Sequence, residues 1–361
     1  MPQFKNSSKI PHDSKPLTGI LLTNLGSPDS PTTGSIRRYL AEFLNDIRVI
    51  ETPRIIWWPI LYGIILTLRP RRLAHAYAKI WTNEGSPLTV NLQKQAEAIE
   101  KNLSESLNYP FKIEIAMRYG NPSIKSALQK LREANVQRLL VFPLYPHYSA
   151  TTTASTFDAV SKELQSWRWI PEVRFINHYH DNAGFISALA QSIKSEWDKN
   201  GQPEKLLFSF HGLPKKYFES GDPYFCECQK TARLVAEKLA LDDSLWSVAF
   251  QSRFGPMEWL QPYTDVVLED WANNGITNVN VICPGFSADC LETLEEIQIQ
   301  YRTRYLNAGG KKFTYIPALN DSKSHIDALS SIIIQHCSGW EELVWNNKQI
   351  KDRVELLNRI E

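Results

Sequence analysis

Apolar runs of four to eight residues alternate with amphipathic stretches along most of this 361-residue chain. The runs are Gly19 to Thr23, Ile113 to Met117, Arg138 to Phe142, Leu206 to Phe210, Ser247 to Phe250 and Asn278 to Cys283. Each is short and rich in β-branched residues or leucine, with a helical segment before the next. That is the pattern of buried parallel strands joined by crossover helices. It predicts an α/β, doubly wound protein. Several runs end in Gly or Pro motifs, which therefore fall at carboxyl ends of strands, where open α/β sheets bind ligands.

Three of these motifs occur twice in the same order. Leu22-Thr23-Asn24-Leu25-Gly26-Ser27-Pro28 is echoed by Phe208-Ser209-Phe210-His211-Gly212-Leu213-Pro214, so Leu25 stands opposite His211. Met117-Arg118-Tyr119-Gly120-Asn121-Pro122 is answered by Ser252-Arg253-Phe254-Gly255-Pro256, and Val141 to Tyr145 by Ile282 to Phe286, with Tyr145 opposite Phe286. Thr151 then falls opposite Glu292. The duplication predicts two similar lobes with their functional edges facing a shared cleft, and only the second copy carries the reactive pair His211 and Glu292.

Gly26 and Gly120 are 94 positions apart and Gly212 and Gly255 only 43, so the first half carries 51 extra residues. They lie largely between 51 and 100 and include the run from Ile55 to Leu68, with Arg69, Arg71 and Arg72 directly after it. Fourteen mostly apolar residues are too few to span a bilayer, which takes roughly twenty. The run reads either as a buried helix or as an apolar lip over residues 55–72, and Trp57, Trp58 and the arginines favour a lip touching a membrane surface or a flat apolar ligand. The expected organisation is a flexible segment over 1–16, a first lobe over 17–155 and a second over 156–322. A C-terminal helix over 323–361 is a candidate to complete the first lobe.

Composition narrows the function. Forty basic and 39 acidic residues give a formal charge of +1, which supplies no field for nucleic acid. Residues 1–16 are polar and lack the apolar core of a signal peptide, pointing to a cytoplasmic protein. Five scattered cysteines, at 226, 228, 283, 290 and 337, fit a reducing compartment better than a disulfide framework.

His211 follows a strand and precedes Gly212, so it sits at a strand-end turn; such a histidine is either a proton acceptor or metal ligand, or a satisfied structural residue. A helix starting near Asp289 would align Asp289, Glu292 and Glu296 as a ridge of carboxylates suited to relaying protons. Taken alone, the segment reads more readily as a capping box with acids at a helix N-terminus. Tyr145, His147 and Tyr148 either line a planar ligand or pack under the sheet. Gly26-Ser27-Pro28 lacks the spacing of a nucleotide-binding loop.

Together these residues resemble the ferrochelatase family. The resemblance rests on residues 22–28, Gly-Ser-Pro-Leu at 85–88, Arg-Tyr-Gly at 118–120, Pro-Leu-Tyr-Pro-His-Tyr-Ser at 143–149, Ser-Phe-His-Gly-Leu-Pro at 209–214, Gly-Asp-Pro-Tyr at 221–224 and Leu-Glu-Thr-Leu at 291–294. It implies two Rossmann-like lobes around a porphyrin cleft with an apolar lip. It also implies insertion of ferrous iron into protoporphyrin IX, the final step of haem biosynthesis, with no permanent cofactor. The family's active-site histidine corresponds to His211 and its glutamate to Glu292, both candidate iron ligands, with Asp289 and Glu296 continuing a proton path. Leu25, Ser86, Arg118, Tyr119, Tyr145 and Phe286 are the expected porphyrin-binding residues, and Arg69, Arg71 and Arg72 are candidates for its propionates. Cys290 stands where some relatives have a second histidine, His147 where glutamine is common, and the cysteines do not match those of iron-sulfur relatives, so no cluster is expected. A chelatase for another tetrapyrrole or metal, such as coproporphyrin or cobalt, or a non-catalytic tetrapyrrole carrier, remains the alternative.

Overall fold

A computed structural model describes residues 17–340, together with Phe4, Asp352 and 354–356. The expected 1–16 segment and the far end of the 323–361 helix lie outside the described residues. The first half contains β1 (Leu17–Ser27), α1 (Thr33–Leu44), α2 (Arg54–Ile60), α3 (Leu66–Ile80), α4 (Pro87–Ser106), β2 (Phe111–Gly120), α5 (Ile124–Glu133), β3 (Val136–Pro143), α6 (Ser155–Leu164) and β4 (Glu172–Phe175). Then follow α7 (Ala183–Asn200), β5 (Lys205–His211), α8 (Lys215–Glu219), α9 (Tyr224–Lys238), β6 (Trp246–Gln251), α10 (Thr264–Asn273), β7 (Asn278–Ile282), a π-helix (Glu292–Tyr301), α11 (Arg302–Asn307), β8 (Lys312–Ile316) and α12 (Lys323–Cys337).

The strands form two four-stranded parallel sheets, ordered β2-β1-β3-β4 and β6-β5-β7-β8. Substituting each strand by the one four later turns the first order into the second, which is the duplication in three dimensions. Within each sheet the order reverses around its first strand, β1 or β5, and the crevice at such a switch point is where α/β sheets bind ligands. Ile20, Leu21 and Leu22 are all fully buried, as expected of a strand covered on both faces.

One core cluster runs through both lobes. It joins Ile20 and Leu22 of β1 and Phe142 of β3 to Phe208 and Phe210 of β5, through Ile99 of α4, Phe185 of α7, Val235 of α9 and Leu329 of α12. The two lobes exchange helices: α7 leaves β4 to pack on α9 and β8, while α12 leaves β8 to pack on α4 and β3. Asn182 caps α7 by accepting from the Gly184 and Phe185 amides. The far end of α12 is tied to the first sheet, where the Arg174 guanidinium stacks on Trp340 and the Trp340 indole donates to Glu172. The boundary drawn at 155/156 falls short of β4, a four-residue strand whose pairing with β3 extends the first sheet to Phe175.

The 51–100 insertion forms α2, a π-helical turn over Leu61–Ile65, and α3, all within the β1–β2 connection. The run is buried along one face and exposed along the other. Trp57, Leu61, Ile65 and Leu66 are buried against α1 and Tyr119, whereas Ile55 (83%), Leu68 (70%), Ile56, Trp58, Tyr62 and Ile64 face outward. Among the described residues no helix is long and apolar enough to cross a membrane.

Candidate active site

The carboxyl edges of the two sheets meet. The Asn24 side chain approaches Ser287 at 3.4 Å, and Gln95 of α4 donates to the carbonyls of Ser287 and Asn320. Asp222 of the Gly-Asp-Pro-Tyr motif clamps the other side by accepting from the Ser149 hydroxyl and the Ala150 amide.

His211 is the last residue of β5 and pairs with Gln251 of β6. The next residue must be glycine, because a Cβ on Gly212 would lie 2.7 Å from the Gln251 carbonyl oxygen. His211 is half-buried, with Nδ1 2.7 Å from the Gly212 carbonyl oxygen. A carbonyl only accepts, so Nδ1 carries a proton, and the tautomer this selects has its lone pair at Nε2.

Glu292 opens the π-helix, whose wider i→i+5 turn changes which side chains meet. Gln300 donates to Glu295 and Tyr301 to Glu296, both pairs five residues apart, a spacing that an α-helix would turn to different faces. Glu296 also accepts from the Ser252 amide (3.0 Å), the Ser252 hydroxyl and Gln251 (3.4 Å). Ser252 adopts φ 67°, an unusual conformation for a non-glycine residue that aims its amide at this carboxylate. Burial, reinforced by Glu296, holds the Tyr301 phenol far above its usual pKa, so it remains a donor. Glu296 is thus heavily engaged, while Glu292 stands beside the buried Cys290 thiol, which burial and then Glu292 push up.

Asp289 does not join them in a ridge. It precedes the helix, is 7% exposed, and accepts from Thr293 (2.9 Å), Tyr315 (2.6 Å), the Ala318 amide and Asn320 (2.8 Å). The expected i, i+3, i+7 alignment requires an α-helix from Asp289, and the helix begins three residues later as a π-helix. Asp289 anchors that start to the segment after β8.

From the first lobe, Gly26, next to last in β1, has φ 116°, and a Cβ there would lie 1.8 Å from the Tyr119 carbonyl oxygen. Ser27 donates to Ser86 at 2.7 Å, and Tyr39 donates to the Gly26 carbonyl. Burial first, then the charges of Tyr77 and Glu292, hold the Tyr39 phenol well above its usual range; Tyr119 and Tyr145 act in the same direction. Leu25, Leu291 and Leu294 pack on the same cluster as Tyr39 and Tyr77, and Phe286 packs with Leu88, Ala288 and Cys290. Leu25, Ser86, Tyr145 and Phe286 therefore border the region that holds Glu292.

Arg118 and Tyr119 both engage Asp46. Arg118 pairs with Asp46, donates to Ser155 at 2.7 Å and stacks on the Tyr119 ring, while Tyr119, 1% exposed, donates to Asp46 at 2.8 Å. They form an ion network that ties β2 to Asp46 and Ser155. Arg69 stacks on Phe254 at 4.2 Å, and Arg71 and Arg72 are exposed. All five cysteines are free and only Cys226 is exposed.

The family model for ferrochelatase matches residues 17–337. The chain belongs to the ferrochelatase family. It is 52% identical over 340 residues to the ferrochelatase of Thioalkalivibrio sulfidiphilus and 51% over 339 residues to that of Nitrosococcus oceani, each alignment covering 94% of this chain and 92% of the relative. Among solved structures, SirB from Bacillus subtilis with Fe3+ shares the fold, with a TM-score of 0.53 at 11% identity over 89% of this chain and 96% of that one. The chain is accordingly a lyase that inserts ferrous iron into protoporphyrin IX in haem biosynthesis.

Sequence reasoning missed Gln251, which binds the π-helix to the His211 strand end, although it immediately precedes the duplicated Ser252-Arg253 motif. It also missed Asp46, Tyr39 and Tyr77, whose positions depend on helices of the insertion.

Proposed function

We propose that His211 and Glu292 carry out the proton transfers of this ferrochelatase and make the first contacts with its iron. The observation that carries this reading is the His211 Nδ1–H bond to Gly212, which leaves Nε2 free to accept a pyrrole proton or bind the incoming cation. Insertion removes two N–H protons from the ring and exchanges the iron's waters for four ring nitrogens. His211 takes a proton at one strand end. Glu292, on the turn tethered by Gln251, accepts or relays the second. Iron held by one imidazole and one carboxylate is released to the ring more readily than from a closed four-ligand site.

Glu296 holds the π-helix in register, and Asp289 holds its start. Leu25, Tyr145 and Phe286 pack against the macrocycle, with Ser86 at its edge. Iron and porphyrin are substrates, and the reaction calls for no permanent cofactor. The outward-facing Ile55, Trp58 and Leu68, with Arg71 and Arg72 behind them, form a lip that touches the inner face of the cytoplasmic membrane, where an apolar porphyrin partitions.

The test is anaerobic iron insertion followed by visible absorbance, with porphyrin binding measured in parallel. His211→Ala and Glu292→Gln should each retain porphyrin binding and lose insertion by about a hundredfold or more. Variants that bind porphyrin and insert iron at the unsubstituted rate would end this assignment.

A further inference from the structure

Among the described residues, and outside the His211 region, one group of potential ligands spans the two lobes. His178 and His180 follow β4 by three and five residues, and Glu227 lies in the first turn of α9. One potential ligand atom from each lies within 4.8 Å of the other two. His178 Nδ1 is 2.6 Å from Glu227 Oε1, and His180 Nδ1 is 3.4 Å from Glu227 Oε2. The Tyr148 amide, at 2.7 Å, fixes the carboxylate from the first lobe.

A second observation points to a ligand here. His180 is 5% exposed, and its Nδ1 has no hydrogen-bond partner, the 3.4 Å approach to Glu227 lacking the geometry of a bond. A buried ring nitrogen left this way is costly unless something else satisfies it. Asp181, itself held by Lys230 at 2.6 Å, lies 3.9 Å from His180 Nε2. A proton on Nε2, facing that carboxylate, leaves the Nδ1 lone pair pointing at Glu227, the arrangement in which outer carboxylates orient ligating histidines.

We propose that His178, His180 and Glu227 bind one divalent cation of the zinc, cobalt or ferrous class, bridging the lobes at a site separate from His211 and Glu292. Two imidazoles and a carboxylate suit these borderline ions, whereas magnesium and calcium favour oxygen ligands. With metal–ligand distances of about 2.1 Å, tetrahedral ligand atoms stand roughly 3.4 Å apart. The His180 and Glu227 atoms already match. The His178 and Glu227 atoms are joined by a hydrogen bond at 2.6 Å and must part by roughly 0.8 Å, the proton between them giving way to the metal. His178, whose side chain is 49% exposed, can make that adjustment and leaves the fourth position open to solvent. Because the ligands come from both lobes, the bound cation stabilises the closed pair by mass action.

The experiment titrates the full chain carrying His211→Ala and Glu292→Gln with Co2+ under anaerobic conditions, reading stoichiometry by calorimetry and coordination by visible absorbance, with circular dichroism to confirm folding. One equivalent should bind with the intense visible bands of four- or five-coordinate cobalt. Adding His178→Ala, or Glu227→Gln, which retains an acceptor for the Tyr148 amide, should weaken binding by about tenfold or more and remove the bands, since loss of an outer-shell partner alone costs that much. The otherwise unsubstituted chain should likewise bind one equivalent more than its His178→Ala variant. A folded double variant that binds no cobalt, or stoichiometry and bands unchanged by His178→Ala and Glu227→Gln, would overturn the proposal.

Discussion

Gln251 donates its side-chain amide to the main-chain carbonyl of Glu292 at 3.0 Å. The same residue pairs with His211 across β5 and β6 and accepts from the Ser209 hydroxyl at 2.8 Å, so one buried amide joins the chain segments of the two residues proposed to move protons. Gln251→Leu, close in shape, leaves these partners unpaired. It should cost about 1–3 kcal/mol of stability by urea unfolding. It should also lower kcat about ten- to a hundredfold with little change in KM for porphyrin, because misplacement by a fraction of an ångström suffices. A kcat within twofold of the unsubstituted enzyme would remove Gln251 from any positioning role.

Two glycines should respond oppositely to alanine. At Gly26 the added methyl meets the Tyr119 carbonyl oxygen at 1.8 Å in a left-handed conformation, so Gly26→Ala should destabilise by more than about 3 kcal/mol and reduce soluble yield. At Gly63, within the helical lip, nothing lies within 4 Å, and Gly63→Ala should stabilise by about 0.5–1 kcal/mol. Thermal unfolding of the two variants side by side checks the contrast.

His325 is fully buried, and burial lowers its pKa from 6.5 to about 4, partly opposed by its bond to the Asn320 carbonyl. The unfolded chain therefore binds the proton more readily than the folded chain between these values. Stability is fully retained above pH 6.5 and falls as the pH drops towards 4, by at most about 3 kcal/mol from this residue. His325→Asn keeps a donor for Asn320 and cannot protonate. Its unfolding free energy, followed from pH 7 to 4.5, should decline less steeply than that of the unsubstituted chain; parallel curves would assign the acid sensitivity elsewhere.

Ile55 and Leu68 are 83% and 70% exposed on a lip that also carries Trp58. Replacing all three with serine should lower partitioning onto phosphatidylglycerol vesicles by about tenfold or more, given roughly 0.8 kcal/mol per buried methylene. Iron insertion with detergent-dispersed porphyrin should stay within twofold. Unchanged sedimentation with vesicles would show that the lip does not engage the membrane.

Six of the eight described strands were legible because each carries a mostly apolar run, and in the central strands β1, β3, β5 and β7 most residues are buried. β4, Glu-Val-Arg-Phe, and β8, Lys-Phe-Thr-Tyr-Ile, were not. Like β2 and β6 they are edge strands, but they are short and have polar residues among the apolar ones, and overlooking β4 placed the lobe boundary too early. Repeated motifs announced the two lobes, and the strand-end turn announced His211, because both are local. The carboxylates were not local in that sense: Tyr315 and Asn320, which engage Asp289, lie 26 and 31 residues beyond it, and the π-helical turn that gives Tyr301 to Glu296 leaves no mark in a period of three or four.

The sequence by itself therefore determined the strand and helix periods, the duplication, the glycines demanded by tight turns and the residue types available for proton and metal chemistry. Tertiary structure alone decided that α7 and α12 exchange lobes, that Asp46 engages Arg118 and Tyr119, and that His178, His180 and Glu227 meet. The physical reason is that a hydrophobic period records only whether a face is covered. Which groups cover it, and which donors reach each buried carboxylate, depends on chain segments brought together by the sheets' order.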